Sequence, residues 1–62
     1  MKFYNIVITY FDQKEKLETA TMSLPLNSTN KETLQCLKVG FVSALAQKGY
    51  QLNTCRINGV AF

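Results

Sequence analysis

Residues 4–24 read YNIVITYFDQKEKLETATMSL, and this stretch decides the fold. Up to Phe11 it is dense in β-branched and aromatic residues, the composition of a strand. Side chains alternate across a strand, so Tyr4, Ile6, Ile8 and Tyr10 share one face, and Phe3, Asn5, Val7, Thr9 and Phe11 share the other. The polar run DQKEK interrupts. Alternation then resumes, with Ala20, Met22 and Leu24 on one face and Thr19, Thr21 and Ser23 on the other. Folding the hairpin about Lys14 matches the two patterns. Ile8 falls opposite Ala20, Ile6 opposite Met22 and Tyr4 opposite Leu24. On the reverse side Thr9 meets Thr19, Val7 meets Thr21 and Asn5 meets Ser23. A slip of one residue would set each apolar row beside a polar one, so the pattern itself specifies the register. With no Asn-Gly or other glycine at the turn, the loop should hold about four or five residues rather than two.

Working outward, Pro25 cannot donate to a ladder and holds Leu24 extended. The second strand therefore ends here or lies at a sheet edge. Thr29-x-x-Glu32 then fits a capping box, the Thr29 hydroxyl accepting from the Glu32 amide. The helix should run from about Asn30 to Lys48. Gly49 supplies a left-handed stop, and Lys48 suits the negative end of the helix dipole. Beyond it, YQLNTCRI reads as a third strand. Asn58-Gly59 is the strongest short hairpin signal in the chain, with only Val60, Ala61 and Phe62 following it. The sum is one α+β domain over residues 1–62. A small three-stranded antiparallel sheet, ββαβ with a short C-terminal hairpin, carries one helix on one face. With the helix as crossover, the third strand lies beside the first, in order 2-1-3.

The helix holds an anomaly. At 100° per residue, Leu34, Leu37, Phe41, Ala44 and Leu45 form a stripe that should face the sheet. Val39, Val42 and Ala46 form a second stripe, rotated from the first, where an ordinary amphipathic helix would be polar. The reverse face of the sheet, with Val7, Thr9, Thr19, Thr21 and Ser23, is also uncharged. Either the third strand and the C-terminal residues cover Val39 and Val42, or another chain does. Burying two valines and an alanine would contribute a few kcal/mol at ~25 cal/mol per Å2, comparable to the whole stability of so small a fold. We therefore expect an interface with a second copy, or with a different protein, over Val39, Val42, Ala46, Val7, Thr9, Thr19 and Thr21.

Length and composition point the same way. A chain of 62 residues is marginal alone and is commonly stapled by disulfides, a metal or oligomerisation. The first two staples are weak here. There are two cysteines, Cys36 and Cys55, and no histidine, which cannot supply four N/S ligands to a closed zinc site. The cysteines are expected to be reduced and largely buried, as in a cytoplasmic protein. Asn5, Thr9 and Asp12 interrupt the N-terminal apolar run and no small-residue cleavage site follows, which argues against a signal peptide. No stretch approaches the ~18 apolar residues of a membrane span.

The composition also argues against catalysis. Without histidine the commonest general base is missing, and Cys36 has none to activate it. The carboxylates of Asp12, Glu15 and Glu18 surround one loop, and Glu32 stands at the helix start. No glycine-rich phosphate loop is present. Asn27-Ser28-Thr29 matches a glycosylation sequon but reads better as capping chemistry. No catalytic residue, cofactor site or metal ligand is assigned. The expected function is a non-enzymatic protein-interaction module, homodimeric, acting as an accessory or modulator of a larger protein. The alternative is a weakly basic nucleic-acid binder. The net charge is +3, and Lys2, Lys31, Lys38, Lys48 and Arg56 would meet phosphates while Tyr4 or Tyr10 stack on bases. Against it, the lysines are scattered and both tyrosines fall on the core face.

Overall fold

The computed structural model describes residues 2–62. Its elements are β1 (Lys2–Phe11), β2 (Leu17–Leu26), α1 (Lys31–Gln47), β3 (Gln51–Ile57) and β4 (Val60–Ala61). The strands form one antiparallel sheet in the order β2-β1-β3-β4. The α+β class and the expected 2-1-3 order hold, and the sheet has four strands rather than three. Asn58 and Gly59 take positive φ of 47° and 84°. This is the I′ geometry that follows strand twist, and it returns the chain far enough for the Phe62 amide to donate to the Cys55 carbonyl at 3.0 Å.

The β1–β2 register is the one the alternation specifies: Ile8↔Ala20, Ile6↔Met22, Tyr4↔Leu24, Thr9↔Thr19, Val7↔Thr21 and Asn5↔Ser23. The loop occupies residues 12–16. Asp12 organises it, its carboxylate accepting from the Lys14 and Lys16 amides at 2.8 and 2.9 Å, while its carbonyl accepts from the Glu15 amide. Glu15 sits at φ 62°, the left-handed residue that closes a type I turn in a hairpin. β2 runs through Pro25 to Leu26 as an edge strand.

The helix cap falls one residue later than expected. Asn30, not Thr29, is the N-cap, its side chain accepting from the Thr33 amide at 2.8 Å. Asparagine outranks threonine as a cap, and the Ser28 hydroxyl accepts from the Asn30 amide, which fixes the approach. Glu32 remains in the first turn, where its charge suits the positive end of the helix. At the other end Gly49 (φ +77°) allows a Schellman closure. The Tyr50 amide donates to the Leu45 carbonyl and the Gly49 amide to that of Ala46. Gln13 crosses from the hairpin loop to donate to the Lys48 carbonyl at 2.8 Å.

Among the described residues, only Ile6, Ile8, Cys55 and Ile57 are buried. Leu34, Leu37, Phe41 and Leu45 pack on them from the helix, together with Tyr4, Tyr10, Met22, Leu52 and others from the sheet. Ala44, expected in the sheet-facing stripe, is exposed. No helix residue is fully buried. The helix lies over β3, so the inner face of β2, with Ala20, Met22, Leu24 and Leu26, stays half-buried.

Candidate interaction surface

β1 pairs with β3 in register from Ile6↔Ile57 to Thr9↔Thr54, then shifts so that Tyr10 meets Leu52. Asn53 is the extra residue of a β-bulge. Simple alternation from Cys55 would turn Leu52 outward; the bulge returns it to the core. It also brings Asn53 Nδ2 within 3.2 Å of the Thr9 hydroxyl, which is hydrogen-bonded to that of Thr54.

These placements divide the seven expected interface residues into two groups. Val7, Thr9, Thr19 and Thr21 come together on the outer face of the sheet as two directly opposed pairs. Val7 and Thr9 are half-buried there, whereas Thr19 and Thr21 are exposed. Arg56, opposite Val7, places a charge on a face expected to be neutral. Val39, Val42 and Ala46 lie together on the helix, in the other layer. Val39 is 56% exposed and Val42 47%, so neither the third strand nor the C-terminus covers them. Phe62 packs instead by Leu34, Gln35 and Lys38, one flank further toward the sheet. One two-fold contact cannot use both layers.

Sequence reasoning missed two features. Phe3 and Leu17 are large apolar side chains 71% and 53% exposed. Both belong to the outer sheet face, since Phe3 pairs with Pro25 and Leu17 with Phe11. The alternation that placed Phe3 and Phe11 on that face already held the signal, and Leu17 follows by the same phase. The second feature is the free edge of β2. Backbone groups of successive strand residues point alternately to the two sides. The Asp12 amide donates to the Lys16 carbonyl across the hairpin, and the Asn58 amide donates to the Asn5 carbonyl on the β3 side. Even-numbered β1 residues therefore face β2 and pair with even-numbered β2 residues. The odd-numbered residues of β2, namely Leu17, Thr19, Thr21, Ser23 and Pro25, turn their amides and carbonyls to the open edge. Pro25, with no amide to lose, obeys that phase.

The cysteines differ from each other. Cys55 is buried, and Cys36, expected to be largely buried, is exposed; both are free thiols. Burial pushes the Cys55 thiol pKa up, opposed by the positive charge of Lys38. Tyr4 and Tyr10 pack half-buried against the core, and Tyr10 stacks on Tyr50 with centroids 5.3 Å apart. Among the described residues no three His, Cys, Asp or Glu side chains gather as a metal site, and no helix is long and apolar enough to cross a membrane. No family model, curated protein or solved structure matches the chain in comparison searches.

Proposed function

We propose that the chain is a small, non-enzymatic protein-interaction module that works as a cytoplasmic homodimer and acts as an accessory or modulator of a larger protein. The observation that carries the reading is surface left uncovered. A compact monomer of 7.0 kDa exposes about 4,000 Å2, and this chain exposes 4555 Å2. Its radius of gyration is 11.7 Å, against about 10.5 Å for a compact chain of this length. Four buried side chains under one helix are a small core for four strands, and the outward Val39, Val42 and Ala46 enlarge the apolar surface. Symmetric dimers are the commonest oligomers, so a second copy is the first partner to expect for the uncovered part of the sheet. An exposed free thiol at Cys36 suits a reducing compartment.

Thermal melting across a hundredfold range of protein concentration tests the dimer. If folding and association are linked, Tm rises with concentration; a constant Tm counts against the reading. Affinity capture from native lysate with wild type and Val42→Glu in parallel tests the accessory role. A specific larger protein held by wild type and lost by the variant is the expected outcome.

A further inference from the structure

We infer that two copies join edge to edge along β2, antiparallel about Thr21, into one continuous eight-stranded sheet. This rests on the homodimer reading and assigns its contact.

The open edge is self-complementary in one register. Centring the two-fold axis on Thr21 sets Thr21 opposite its own copy and Thr19 opposite Ser23 of the second copy, each pair exchanging two backbone hydrogen bonds. Leu17 then falls opposite Pro25 of the second copy. The Leu17 amide donates to the Pro25 carbonyl, and the missing proline amide is the only donor lost from that pair. The side chains agree with the backbone. Thr–Thr and Thr–Ser pairs across strands are favourable. Since Leu17 neighbours Phe11 and Pro25 neighbours Phe3, each end of the joint carries an apolar row across the outer face: Phe11, Leu17, then Pro25 and Phe3 of the second copy. Leu17, otherwise among the most exposed apolar side chains, gains cover from Pro25 of the second copy, and Phe3 extends the apolar row on β1. On the inner face Ala20 meets Met22, a small side chain beside a large one, and Glu18 meets Leu24. Shifting the centre to Ala20 would put Leu17 opposite Ser23, and shifting it to Met22 would put Leu17 opposite Asn27, so both break the apolar rows.

Each copy exposes roughly 500 Å2 beyond the compact expectation, so the fold leaves surface for a contact. Pro25 and the inward-facing Glu18 blunt the edge near its two ends, and residues 19–24 between them carry neither charge nor proline. The helix lies over β3, away from this joint, and its flank beside Phe62 is the flank nearest Val42. Val39, Val42 and Ala46 therefore stay outside the contact, and the dimer presents the stripe twice.

Three variants test the assignment. Thr21→Pro removes a donor from the open edge alone, as Pro25 already does, and is expected to give a folded monomer, while Val42→Glu remains dimeric. Thr21→Cys in a Cys36→Ser background is expected to form a covalent dimer under mild oxidation, because paired strand positions stand within disulfide reach. Thr54→Cys in the same background, on β3, should stay uncoupled. The cross-link decides the matter if Thr21→Pro does not fold. A dimer that persists in Thr21→Pro, or that fails to cross-link through Thr21→Cys, overturns the edge contact and leaves the homodimer standing. Wild type that remains monomeric overturns both.

Discussion

Asn30 and Thr29 are neighbours, each with a side-chain oxygen able to cap a helix, and the fold uses only Asn30. Replacing Asn30 with alanine is expected to cost about 1 kcal/mol, while Thr29→Ala should cost no more than a few tenths. Urea denaturation of both variants reads the difference, and a larger loss at Thr29 would return the cap to that residue. The two thiols separate just as sharply. In the folded protein iodoacetamide should modify Cys36 and spare Cys55, as mass analysis of the labelled peptides would record. Because burial favours the protonated form of Cys55, its thiol stabilises the fold only while protonated. That contribution is fully present below the ordinary thiol range and is lost as pH rises through the raised value. The stability gap between wild type and Cys55→Ala should therefore narrow as pH rises above the ordinary thiol range. A gap that widens would contradict the burial of this thiol.

Among the elements, the hairpin was the most legible from residues alone, because β1 and β2 each carry two distinguishable faces and check one another's register. The helix end was legible at Gly49, where one residue type meets the geometric demand. Its start was not, since the run Asn27-Ser28-Thr29-Asn30 offers four capping side chains in succession. β3 was readable as a strand but not in phase. The bulge at Asn53 resets the alternation, and a propensity pattern does not reveal where an extra residue is inserted. The interface expectation was legible as chemistry and not as geometry: the uncharged residues were visible, but their division between two layers depends on the finished fold. The hairpin turn carries a cost of its own. Glu15 occupies a left-handed conformation that disfavours an L side chain by about 1–2 kcal/mol. Part of that gain is offset by the greater unfolded-state freedom of glycine. Glu15→Gly should therefore stabilise the protein by roughly 0.5–1 kcal/mol, seen as a higher Tm at fixed concentration. A fall in Tm would show that the Glu15 side chain itself holds the turn.

For the whole molecule, the decisive property is a sheet wider than its cover. Four strands lie beneath one helix, that helix lies over β3, and the opposite edge, β2, is ten residues long with unpaired backbone groups. Long free edges invite pairing and are usually blunted by charge or proline; here residues 19–24 carry neither. Surface in excess of a compact chain, the exposed Phe3 and Leu17 beside that edge and a self-complementary row centred on Thr21 converge on one account, in which the chain is half of its working unit. Sedimentation equilibrium of the wild-type protein at tens of micromolar tests this most directly. The account predicts a single species of twice the 7.0 kDa chain mass, dissociating on dilution; a mass of one chain throughout that range would contradict it.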